Sequence, residues 1–100
     1  MNEHWILDDD GNLERVDLLT WALWFERPAR RRVAETFYGD VRVSTVFLGL
    51  DHSFGGPVPV LWETMVFGGV LDGEQYRYTS VADARAGHQA MCERVSAARA

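Results

Sequence analysis

Between Arg32 and Phe67 the chain alternates its side chains two by two, and few folds accept such a run. Val33, Glu35 and Phe37 alternate with Ala34, Thr36 and Tyr38. A two-residue Gly39-Asp40 step, the kind with Gly first, then reverses the chain. Val41, Val43, Thr45 and Phe47 continue the pattern with Arg42 and Ser44 opposed to them, and Val46, Leu48 and Leu50 make the second face apolar as well. A strand that passes from half exposed to buried on both faces is a central strand. A third β-prone run, Val60 to Phe67, ends at Gly68-Gly69, and Glu74 to Thr79 reads as a short edge strand after the Asp72-Gly73 turn.

The flanks supply a hairpin and two helices. Residues 4–16 place Trp5, Ile6 and Leu7, then Leu13 and Val16, on either side of a turn of Asp, Gly and Asn, residues that accept left-handed backbone and bond it through their side chains. Read as an EF-hand loop, the same turn puts Ile6 first and Asp17 last, and the calcium pattern fails. Asp17 is a good N-cap for a helix over 18–27 that stops near Pro28. Its core stripe is expected to be Leu18, Trp21, Ala22 and Phe25, widened by Leu19 and Leu23, with Trp24 off centre, a candidate exposed aromatic for which packing on the flank is the preferred reading. Ser80, with Asp83 three residues on, caps a last helix whose stripe is Val81, Ala84, His88, Met91, Cys92 and Val95. Gly87 inside it suggests close approach to the sheet. The expected fold is α+β: an antiparallel sheet of about four strands plus an N-terminal hairpin, with two helices packed on the sheet, residues 1–100 forming one domain. The apolar residues of the second sheet face, with Trp62 and Tyr78, are expected to be covered by a partner or a second copy.

Composition removes several classes of function. No apolar run is long enough to span a membrane, and no basic segment precedes an apolar one as in a signal peptide. The formal charge of −5 opposes nonspecific nucleic-acid binding, which depends on clustered cations releasing counterions. All ten basic residues are Arg, a sign of a high-GC genome and not of mechanism. The single Cys92 leaves no internal disulfide and fits a reducing cytoplasm.

Asp51, His52 and Glu63 invite an acid–base reading, since a histidine oriented by a carboxylate beside a loop is a common catalytic arrangement. The competing reading gives Asp51 the backbone N–H groups of the loop, packs His52 on Phe54, and pairs Glu63 with Arg42 or Arg77. That reading is preferred, and no catalytic residue is assigned. His88 and Cys92 stand four apart on one helix face, as two metal ligands can. No CxxC or HExxH pattern accompanies them, so a core histidine and a buried thiol are expected, with no metal and no cofactor. The glycine-rich loop lacks a following helix and a Lys, which phosphate cradles use.

The stretches STVFLGLDHSFGG, LWETMVFGG, DGEQYRYTS and ARAGHQAM, together with WILDDDGNLERVDLLTWALWFE, cover nearly the whole chain. They resemble a family of short uncharacterised proteins of phages and prophages in high-GC bacteria. Members often carry a longer glycine run before the loop proline, where this chain has GGPVPV. The resemblance implies a phage accessory protein acting in the cytoplasm of a bacterial host.

The functional expectation is non-catalytic binding to a host protein by a probable homodimer, with host takeover or anti-defence as instances. Its candidate binding residues are Asp51, His52, Phe54, Trp62, Glu63, Trp24 and Tyr78, because Trp, Tyr and Arg dominate interface energetics. The alternatives are a small-molecule binder that stacks a nucleotide-like ligand on Tyr76 or Tyr78 beside arginines, a minor virion component, and a small hydrolase.

Overall fold

The computed structural model describes residues 3–99. Strands β1 (His4–Leu7) and β2 (Leu13–Val16) form the N-terminal hairpin, followed by helix α1 (Leu18–Phe25) and the single turn α2 (Pro28–Arg31). A four-stranded antiparallel meander comes next: β3 (Arg32–Tyr38), β4 (Val41–Phe47), β5 (Trp62–Phe67) and β6 (Gln75–Tyr78), in that spatial order. Helix α3 (Val81–Arg99) closes the chain. The α+β architecture read from the sequence is the one observed.

Each junction has a local cause. The Asp8 carboxylate accepts the N–H groups of Asp10 (2.9 Å) and Asn12 (2.8 Å) and shapes the hairpin turn. Asp17 accepts the N–H of Thr20 at 2.8 Å and starts α1. Pro28 ends that helix a little early and opens α2 from its first position, where a missing N–H costs nothing. The N–H of Asp83 donates to Ser80 Oγ at 3.0 Å, the cap of α3.

One face of the sheet carries the core. Thr36, Val43, Thr45, Thr64, Val66 and Tyr78 point toward α3, which returns Ala84, His88, Met91, Cys92 and Val95, all five buried. The glycine inside α3 is used: a Cβ on Gly87 would stand 2.1 Å from Tyr78 Oη. A second apolar cluster joins Trp24, Phe47, Leu61, Trp62 and Ala84 at the end of the sheet. Helix α1 rests mainly on the hairpin and reaches that cluster through Trp24, whose ring meets Phe47 edge-on at 5.6 Å.

Two expectations about faces are corrected. On α1, Trp24 is the buried residue, whereas Leu18, Leu19 and Leu23 are 62%, 68% and 58% exposed. Nearly every position of LLTWALWF is apolar, so periodicity selects no side, and contact with Phe47 places Trp24 in the core. On the sheet, Trp62 and Tyr78 oppose each other in the β5–β6 register and share the α3 side with Phe47. The second face is therefore mixed, with Phe37, Val46, Met65 and Phe67 among ion pairs. Glu35 pairs with Arg42 at 2.7 Å, Glu63 with Arg77 at 3.1 Å, and Ser44 lies between them.

Candidate functional site

The segment from Leu50 to Val60 is a loop with a fixed base and a bare tip. Asp51 fixes the base: its carboxylate accepts the N–H of Ser53 (2.8 Å), the Ser53 hydroxyl (2.9 Å) and the N–H of Val60 (3.0 Å). The N–H of His52 donates to the Val60 carbonyl at 2.9 Å, and its Nδ1 donates to the Leu50 carbonyl at 2.8 Å. A carbonyl only accepts, so Nδ1 carries a proton in this bond. Burial alone raises the Asp51 pKa. The bonds from Val60 and Ser53, aided by the neighbouring His52, outweigh it and hold the carboxyl below the ordinary aspartate range.

At the tip, Phe54 is 90% exposed with φ of 55°, the one described non-glycine residue with left-handed backbone. Gly55 continues the turn at φ of 89°. The descending limb, Pro57 to Pro59, faces Trp5 and Arg15 of the hairpin across a cleft, with the Arg15 guanidinium 5.6 Å from the Trp5 ring centre. The loop is thus bonded at both feet, and the first foot is also tied to the N-terminal segment by the Asp51 N–H, which donates to the Glu3 carbonyl at 3.1 Å.

The three residues of the acid–base reading have separate partners. Asp51 is committed to the loop base and His52 to the Leu50 carbonyl. Glu63, on the open sheet face, accepts Gln75 Nε2 at 2.5 Å and Arg77 Nε at 3.1 Å. Among the described residues no hydrogen bond joins any two of Asp51, His52 and Glu63. Of the other residues singled out, Trp24 and Trp62 are buried, and Tyr78 is half-buried against Gly87. Asp51, His52 and Phe54 share the loop, whereas Trp24, Trp62 and Tyr78 meet in the second apolar cluster.

His88 belongs to the core. Its Nδ1 is 2.7 Å from Thr45 Oγ1 and its Nε2 2.9 Å from Thr36 Oγ1, while Thr45 and Thr64 share a hydroxyl bond of 2.5 Å. Both ring nitrogens are engaged, and burial lowers the pKa of the ring. Cys92, one turn on, is buried beside Tyr38, whose phenol is pushed above its ordinary pKa by burial and by the thiol.

Two further surfaces stand apart from the loop. One is the trio of exposed leucines on α1. The other is a shallow groove between β6 and α3, lined by Tyr76, Tyr78, Gly87, Ala90, Met91 and Arg94. The sequence offers Tyr76 and Tyr78 beside arginines as a stacking site, and the small residues at 87 and 90 open the helix side of the groove.

No protein-family model, curated protein sequence or solved structure matches this chain.

Proposed function

We propose that this chain is a small non-catalytic binding protein, of the phage-accessory kind its resemblance suggests, which engages a host protein in the bacterial cytoplasm through the tip of the 51–59 loop. The observation that carries this reading is Phe54. An aromatic ring left in water forgoes the stabilisation of burial, and left-handed backbone costs a non-glycine residue roughly 1–2 kcal/mol. Both costs fall on one residue, held by the Asp51 bonds. Strained, over-determined backbone of this kind clusters at ligand clamps, and a pre-positioned aromatic loses little entropy on docking. Interference with a host enzyme or a defence factor is one instance.

The test is a photo-crosslinking phenylalanine analogue at position 54, with the same analogue at the exposed Val70 as control, in a lysate of a high-GC bacterium. The expected result is one saturable crosslinked protein from position 54, competed away by the wild-type chain and not by Phe54→Ala. Identical products from both positions, or equal competition by Phe54→Ala, would overturn the reading.

A second reading rests on the β6–α3 groove, where Arg94 stands 6.0 Å from the Tyr76 ring centre and bonds Glu74 at 3.0 Å. A flat, anionic, nucleotide-like ligand would stack on Tyr76 and take Arg94 from Glu74. Native mass spectrometry against a nucleotide mixture tests it: retention of one nucleotide, abolished by Arg94→Ala, supports it.

A further inference from the structure

Strand β3 is an outer strand of the meander. The two-residue Gly39-Asp40 turn makes Tyr38 and Val41 a hydrogen-bonded pair, and the register then makes Thr36–Val43 and Ala34–Thr45 the next two, since bonded pairs recur at alternate positions. The N–H and C=O groups of Glu35 and Phe37 therefore point away from β4. Among the described residues no strand pairs with them. Natural edges are blunted by shortness, bulges or charge. The bulge here lies between Arg32 and Ala34 and leaves residues 35–38 regular. Phe37, on the outer face, is 62% exposed. The opposite edge, β6, has only four residues and exposes Gln75 and Arg77.

We infer that β3 pairs antiparallel with β3 of a second copy, across a twofold axis through Thr36, joining the two meanders into one continuous sheet. The sequence of the strand is complementary to its own inverse. In this register Glu35 of each copy opposes Phe37 of the other, and each such pair exchanges two backbone bonds. Ala34 opposes the second copy's Tyr38, small against large. The two Phe37 rings become diagonal neighbours on the outer face, within reach of each other. Arg32 of one copy comes alongside Asp40 of the other, cation against anion, and both are exposed in the monomer. Moving the axis to Glu35 would set two like charges directly opposite, which disfavours that register. A foreign strand would supply the backbone bonds but not this reciprocity, so the occupant is a second copy. The twofold contact closes on itself and predicts a finite dimer and no filament.

The test is light scattering coupled to size exclusion, over a dilution series of the full chain. It is paired with a mixed-isotope NMR sample that reads Thr36 Hα to Thr36 Hα contacts between copies. The expected mass is twice the 11.4 kDa of one chain, with the Thr36 contact present. Phe37→Pro should halve the mass while leaving the circular dichroism spectrum unchanged, because the N–H it removes is unpaired in the monomer. Asp40→Arg should weaken the dimer, and Arg32→Asp added to it should restore association. A monomer at every concentration overturns the inference, as does a dimer that survives Phe37→Pro or lacks the Thr36 contact. If Phe37→Pro fails to fold, the Thr36 contact in the wild-type protein decides alone. Loss of Phe54 crosslinking leaves this outcome untouched.

Discussion

Thr45 Oγ1 and His88 Nδ1 lie 2.7 Å apart, where the central strand β4 meets α3, and the Thr45 hydroxyl also bonds Thr64 on β5. With Thr36 on the other ring nitrogen, one imidazole ties three strands to the helix through hydroxyls alone. The network satisfies every member with the ring neutral, and burial disfavours the charged form. Burial holds the folded ring below the ordinary histidine value of about 6.5. Between the two values the unfolded chain binds a proton that the folded chain does not. This contribution to stability is therefore complete above about pH 6.5 and is lost as pH falls toward the folded value. His88→Ala should cost roughly 2–4 kcal/mol at pH 7.5, from the cavity and the orphaned hydroxyls. Urea unfolding at pH 7.5 and pH 5 checks both points. The gap between wild type and variant should narrow at the lower pH, and a constant gap would show that the ring does not titrate in this range.

Gly87→Ala sets two effects against each other. In an exposed helix interior the change gains about 1 kcal/mol. Here the new methyl would fall 2.1–2.3 Å from the hydroxyl and ring of Tyr78, and displacing a packed ring costs typically 1–3 kcal/mol. The expected result is net destabilisation, read as a lower urea midpoint at unchanged slope. In a Tyr78→Val background the same substitution should become neutral or stabilising, because the obstacle is gone.

The sheet was legible because its strands are long, alternating and punctuated by glycine turns, so residues 32–67 could hardly fold otherwise. The α3 stripe was legible for a similar reason: Ala84, His88, Met91, Cys92 and Val95 recur at helical spacing among polar neighbours. Where composition is uniform the same reasoning fails. In α1 every face is apolar, and tertiary packing chose Trp24. In β5 the faces of Trp62 and Glu63 follow from register, which a single strand does not specify. The loop was half legible. Asp51 before Gly and Pro announces a hydrogen-bonded turn, but no local signal says that Phe54 takes the exposed, left-handed position at its tip.

Asp51→Ala should loosen the loop without unfolding the sheet. Removing an acceptor of two backbone N–H groups costs about 1–3 kcal/mol, and those groups, Ser53 and Val60, gain access to water. Their amide exchange should accelerate while the β4–β5 amides stay protected, read by hydrogen exchange with residue resolution. The wild-type loop should behave in the same way in acid. Its hydrogen bonds hold the Asp51 carboxyl below its ordinary value despite burial, so its stabilisation is present above the carboxylate range and is lost as pH falls through the folded value. If the amides of Ser53 and Val60 remain protected in Asp51→Ala, the loop is held by its prolines and the hairpin instead.

Phe54→Gly separates what stabilises the fold from what the loop tip is for. Glycine adopts a φ near 55° without penalty, and a ring that is 90% exposed leaves no cavity behind. Against this stands the added freedom of glycine in the unfolded chain, which costs roughly 0.4–1 kcal/mol. The two terms nearly cancel, so stability should change by less than about 1 kcal/mol. Binding should not survive, because the contact surface is the ring itself. A variant of unchanged stability that no longer competes for the crosslinked host protein would locate recognition at Phe54 and show that its backbone strain is kept for function. Should Phe54→Gly instead compete as the wild type does, recognition lies elsewhere, and the exposed Leu18, Leu19 and Leu23 of α1 become the surface to substitute next.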